Sequence, residues 1–233
     1  MQKKFESLPN RSHHRPMDNI ARTTGVIPVK GDAGKTRRGF VALDRDGTII
    51  VERRYLSSPD QVELLPGAAA GLRAISELGL GLVVVTNQSA VGRGYFDLAR
   101  LGEIHGRLRE LLVAEGIDLD GIYVCPHTPQ DGCNCRKPLP GLLLQASREL
   151  AFDPARTVVI GDKPCDIELG RGVGATTILV RTGYGAEHEA AQAIMPDHVA
   201  DDLKEAAKFV ERWIVVGSSR CCVARGRGRD HSL

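Results

Sequence analysis

The chain has no apolar run long enough to cross a bilayer. Among its longest is LGLGLVVV at Leu78–Val85, far short of the ~20 residues a membrane helix needs. Its first residues, MQKKFESLPN, lack the apolar centre of a secretory signal. Pro9, Pro16, Glu6 and Asp18 interrupt any amphipathic import helix that the early Lys and Arg would build. A cytoplasmic protein without membrane contact is expected. There is no internal repeat, and little net charge, +2 over 233 residues. Hydrophobic residues make up 42%, which supports a core and excludes disorder throughout. That length suits one domain with tails, or two small ones.

The small net charge conceals an uneven distribution. Residues 1–38 hold nine Lys/Arg against three Asp/Glu, and 218–233 hold four Arg against one Asp. The stretch between them is left acidic, which argues against a nucleic-acid surface, since phosphate contacts need clustered cations. The two ends read as basic, solvated, disordered tails flanking a domain over 39–217.

Within 39–217, short apolar runs alternate with helical patterns. FVALD (Phe40–Asp44), LVVVT (Leu82–Thr86), GIYVC, TVVIGD (Thr157–Asp162) and TTILV read as buried strands. GAAAGLRAISELG, DLARLGEIHGRLRELLVAEG, GLLLQASREL, DIELGRGVG and DDLKEAAKFVERWI read as helices. Strands without polar alternation, separated by helices, predict an α/β fold: a Rossmann-like parallel sheet with helices on both faces. Such sheets bind ligands at the carboxyl ends of their strands, which directs attention to Asp44, Thr86 and Asp162. GDAGKT (Gly31–Thr36) imitates a phosphate-binding loop, but Val29 stands where that motif needs its first glycine, and a strand follows instead of a helix.

DRDGT (Asp44–Thr48) leaves the first strand with two carboxylates two residues apart and a glycine to turn the chain. Read blandly, it is a solvated turn. Read chemically, the crowded pair favours a divalent cation, with one carboxylate attacking phosphorus and the other exchanging a proton. Thr86 adds a hydroxyl, Lys137 a point charge for a phosphoryl group, and GDKPCD brings Asp162 and Asp166 as oxygen ligands for Mg²⁺. Cys125, His127, Cys133 and Cys135 form a Cys₃His set that suits tetrahedral Zn²⁺ and leaves no position for water or substrate, hence a structural ion. A disulfide or redox pair is the alternative, but Cys-x-Cys is cramped and the histidine would have no role. The set ends at Arg136-Lys137, so a metal there would order the backbone that aims both cations. Cys165, Cys221 and Cys222 read as ordinary thiols.

The order DxDGT, strand-end Thr, isolated Lys and GDxxxD resembles the haloacid dehalogenase (HAD) superfamily of aspartate-dependent phosphotransferases, over about 40–215. The resemblance implies Asp44 as nucleophile, Asp46 as general acid/base, and Mg²⁺ held by Asp44, Asp162 and the backbone carbonyl of Asp46. The gaps between motifs leave no room for a separate cap domain, so the site should be open, bordered by loops 50–60, 87–95 and 125–137. CPHTPQDGCNCRKP resembles the histidinol phosphatase and heptose bisphosphate phosphatase branch, and VVVTNQSAVGRGYF, CRKPLPGLL and GDKPCDIELG lean to the heptose side. This implies action on a small phosphorylated sugar, with histidinol phosphate or another small phosphate monoester as the alternative; a monomer is expected. Glu52, Arg53, Arg54, Tyr55, Asn87, Gln88, Ser89, Arg136 and Lys163 would line the substrate site. The charged ERR at Glu52–Arg54 departs from the branch pattern.

Overall fold

The structure, a computed structural model, describes residues 37–192 and 194–223. Most of the basic segment 1–38, with its GDAGKT stretch, and residues 224–233 lie outside the described residues. Two residues on the tail side of the expected boundary contact the domain: Arg37 forms an ion pair with Asp120 at 2.8 Å, and the Arg38 amide donates to the Gly79 carbonyl. The domain also runs past the expected end at 217, because the last helix continues to Val223. No proline lies in that stretch to stop it.

Six strands form one parallel sheet. They are β1 (Phe40–Leu43), β2 (Gly81–Asn87), β3 (Gly121–Cys125), β4 (Thr157–Gly161), β5 (Thr176–Val180) and β6 (His198–Ala200), in the order β3-β2-β1-β4-β5-β6. The short sixth strand was not anticipated. HVA has too few residues to show a pattern, and its pairing with Ile178–Val180 of β5 makes it a strand.

Side chains alternate between the two faces although β1 to β5 are almost wholly buried. Val41 and Leu43 of β1 and Leu82 and Val84 of β2 join one core, with α1 (Ala68–Glu77), α3 (Leu98–Ala114) and α7 (Leu203–Val223). Phe40, Ala42, Val83 and Val85 join the other, with α4 (Gly141–Glu149) and α5 (Pro164–Val173). This is why the strands read as continuous apolar runs: both faces are covered. Two short helices, α2 (Ser89–Gly92) and α6 (Gly185–Ala190), follow β2 and β5.

Leu43 at the end of β1 pairs with Val84 of β2 on one side and Ile160 of β4 on the other. The chain winds from β1 through β2 to β3 on one side, then crosses back to β4 on the other side of β1, so a crevice opens at the carboxyl ends of β1, β2 and β4. Asp44, Thr86 and Asp162 all arrive there.

Candidate active site

The crevice encloses a cavity of about 190 Å³. Asp44, Asp46, Glu52, Arg54, Tyr55, Thr86, Asn87, Gln88, Ser89, Arg136, Lys137 and Lys163 line it, and among the described residues no separate cap domain covers it. Arg53 does not. Its guanidinium turns outward to Glu63 at 2.6 Å and to the Gln61 carbonyl. Arg54 reaches the cavity from a left-handed backbone, φ 59°, with its amide bonded to the Glu52 carboxylate at 2.6 Å. Arg93, in the border loop 87–95, is exposed and also stays outside the lining.

Lys137 is the electrostatic centre. Its ammonium lies 2.8 Å from Asp44 Oδ1 and 2.6 Å from Asp166 Oδ1, all three groups being buried. Burial pushes Asp44 up, but Lys137 and then Lys163 outweigh it and leave the carboxyl below its usual value. Burial likewise works against the charged form of Lys137, and Asp166 and Asp44 reverse it. Asp44 is therefore an anion facing the cavity, which is what a carboxylate nucleophile requires. The Asn87 amide clamps the Lys137 backbone from both sides, accepting from its N–H at 3.0 Å and donating to its carbonyl at 3.2 Å. Asn87 thus has a positioning role that the sequence reading did not anticipate.

Asp44, Asp162 and Asp166 bring carboxylate oxygens within 4.8 Å of one another. Burial, reinforced by crowding from Asp44 and Asp166, pushes Asp162 up to about 7 despite Lys163 beside it. Its Oδ1 has no hydrogen-bond partner among the described residues. An under-compensated buried carboxylate among two others fits a divalent cation. Lys163 Nζ meets the same oxygens, at 3.9 Å from Asp44 Oδ2, 3.4 Å from Asp162 Oδ1 and 3.4 Å from the Asp46 carbonyl, and is anchored to Glu52 at 2.9 Å. Asp166 faces Lys137 and caps α5 through the Lys163 amide at 3.1 Å. Gly47 (φ 83°) and Gly183 (φ 57°) close around Asp162, where a Cβ on either would collide with its carboxylate. Gly183 was not singled out from sequence; its only signal was the glycine after β5 in VRTGYG.

The four zinc candidates converge after β3. Cys125 Sγ lies 3.7 Å from both Cys133 Sγ and His127 Nδ1, Cys135 Sγ lies 3.5 Å from Cys133 Sγ, and His127 Nδ1 lies 3.2 Å from Cys135 Sγ. A tetrahedral zinc with sulfur ligands at about 2.3 Å needs sulfurs roughly 3.8 Å apart, so the set fits. Hydrogen bonding from Cys125 lowers Cys135 to about 5, although burial opposes it, the direction that ligation by a thiolate needs. The same loop holds Arg136, whose Nη1 donates to the His127 carbonyl at 3.2 Å.

Cys165, read from sequence as an ordinary thiol, lines the cavity. Burial and Asp166 push it up to about 12, which keeps it an inert thiol. Arg45 was also missed. It lies between the two site aspartates yet is 1% exposed, and it meets His105 of α3, the histidine set among Leu101, Ile104, Leu108 and Leu112 on that helix's buried face.

A parallel sheet that delivers paired aspartates, a strand-end threonine and a buried lysine to one crevice defines the HAD-like hydrolases, and the HAD-hydrolase-like family model matches residues 134–206. The D-glycero-beta-D-manno-heptose-1,7-bisphosphate 7-phosphatase of Yersinia pestis is 41% identical over 172 residues, 69% of this chain and 91% of that protein. The enzyme of the same name from Pseudomonas aeruginosa is 40% identical over 149 residues, 64% of this chain and 84% of that one. Among solved structures, the D,D-heptose 1,7-bisphosphate phosphatase of B. bronchiseptica, complexed with magnesium and phosphate, superposes with a TM-score of 0.70. It is 34% identical, with 75% of this chain and 98% of that chain covered. The chain belongs to the D-glycero-beta-D-manno-heptose-1,7-bisphosphate 7-phosphatase family.

Proposed function

We propose that this chain removes the 7-phosphate of D-glycero-D-manno-heptose 1,7-bisphosphate through an aspartyl-phosphate intermediate. The observation that carries the reading is Asp44, held as an anion 2.8 Å from the buried Lys137 ammonium, with Asp46 lining the same cavity. An Asp44 oxygen attacks phosphorus; the bond from phosphorus to the sugar oxygen breaks, and Asp46 gives that oxygen a proton. Water then attacks the acyl phosphate and returns a proton to Asp46, so phosphate leaves and both aspartates are restored. Lys137 and the Thr86 hydroxyl stabilise the transferring oxygens.

Mg²⁺, held by Asp44, Asp162 and the Asp46 carbonyl, would add Lewis-acid charge to the phosphoryl group. Zn²⁺ on Cys125, His127, Cys133 and Cys135 is structural, since the protein fills all four positions. Arg54 and Arg136 face the cavity as cations for the remote phosphate, and Glu52, Tyr55 and Ser89 contact the sugar. Unpaired thiols in the zinc set and the lack, among the described residues, of a helix long and apolar enough to cross a membrane support a cytoplasmic site of action.

The test compares kcat/KM for the heptose bisphosphate and for histidinol phosphate. The bisphosphate should be strongly preferred, because the same cations that hold its remote phosphate repel an amine and an imidazolium. Asp44→Asn should abolish turnover of both. Preference for histidinol phosphate, or appreciable activity in purified Asp44→Asn, would overturn the reading.

A further inference from the structure

Arg45 sits in the DRDGT loop, but its side chain turns away from the cavity into the protein. Its fork spans the Asp46 carboxylate, Nε to Oδ2 and Nη2 to Oδ1, both at 3.1 Å. Nη2 also donates to Gln88 Oε1 at 2.9 Å. The Gln88 amide in turn donates to Asp46 Oδ2 at 2.8 Å and to the Thr86 hydroxyl at 2.9 Å. The remaining arm, Nη1, lies 2.9 Å from Nε2 of His105. Arg45 and His105 are each 1% exposed.

A guanidinium has donors only, so His105 Nε2 must accept, which places the imidazole proton on Nδ1. That Nδ1 has no partner among the described residues. A leucine here would extend the apolar stripe of α3 and remove the unpartnered Nδ1–H, but it would leave the third arm of Arg45 without an acceptor. The histidine's cost is offset by one thing, an acceptor for the third arm of Arg45. Burial together with the cations Arg45 and Arg109 keeps the ring neutral and able to accept. A planar fork with every arm engaged cannot rotate, so the carboxylate it grips is held in one plane.

We infer that Arg45 and His105 are positioning residues for the reaction, a buried chain from α3 that fixes the orientation in which Asp46 meets the leaving oxygen. The inference rests on Asp46 acting as the acid/base group, and the experiment separates the two. kcat/KM, which reports steps up to formation of the acyl phosphate, is measured on an alkyl phosphate and on p-nitrophenyl phosphate. The alkoxide must be protonated as it leaves; nitrophenolate departs without a proton.

His105→Leu keeps the packing and removes the acceptor. It should lower kcat/KM on the alkyl phosphate about 10- to 100-fold, the scale of a small misplacement at a reacting group. On nitrophenyl phosphate the loss should be only a few-fold. His105→Gln, whose amide oxygen can accept from Nη1, should restore most of the alkyl activity. Arg45→Lys, which keeps the charge and loses the fork, should reproduce the discrimination and serves if His105→Leu does not fold. Asp46→Asn on the same substrates is the reference. If it discriminates between them but His105→Leu and Arg45→Lys lower both substrates equally or neither, the positioning inference is wrong and the acid/base reading stands. If Asp46→Asn itself shows no discrimination, both fail together.

Discussion

Lys163 stands among the oxygens that would hold the catalytic cation, within 4 Å of Asp44, Asp162 and the Asp46 carbonyl. A divalent ion and this ammonium draw on the same negative charge. Lys163→Met should therefore tighten Mg²⁺ binding by about an order of magnitude in titration calorimetry, the scale of one like charge removed from a partly screened site. Unchanged or weaker binding would place the cation elsewhere. His105 gives a second test at this scale. Burial, with Arg45 and Arg109 nearby, holds it well below its ordinary value. In the unfolded chain it protonates near about 6.5, so below that pH the unfolded state binds more protons and stability falls. Thermal midpoints should drop as pH is lowered through about 6.5, and His105→Gln should flatten that part of the slope. An identical slope in the variant would show that other groups cause it.

The elements were legible to different degrees, for physical reasons. β1, β2 and β4 announced themselves because strands covered on both faces need unbroken apolar residues. The DRDGT, strand-end threonine and GDKPCD placements followed from those strand ends. β6 was not legible, since three residues carry no period and only pairing with β5 defines them. Arg53 was misassigned because a run of charged residues does not reveal which side chain faces inward, whereas Arg45 was overlooked because an arginine between two aspartates reads as solvated. His105 did leave a signal, a polar residue at helical spacing from Leu101 and Leu108. The zinc loop was legible as a ligand set, and the structure adds what it holds: Arg136 through the His127 carbonyl and, one residue on, Lys137. Cys133→Ser should lose zinc, lower the thermal midpoint and depress activity together, measured by metal content, calorimetry and turnover. A zinc-free variant with full activity would uncouple the loop from Lys137.

At the scale of the molecule, the parallel sheet turns separate sequence motifs into one site. Residues 44, 86, 137 and 162 meet because β1 lies between β2 and β4, with its last residue Leu43 paired to Val84 and Ile160. The cavity that results is small and bordered by loops, with cations from two of them, Arg54 and Arg136, on its lining. Under the proposed function, a sugar bisphosphate would place one phosphate against Asp44 while those cations hold the other, and that would set which ester is cut. Phosphorus NMR of the heptose 1,7-bisphosphate during turnover tests this most directly. The account predicts loss of the 7-phosphate resonance with inorganic phosphate appearing in step, while the anomeric 1-phosphate persists. Loss of the 1-phosphate instead, or of both at similar rates, would contradict it.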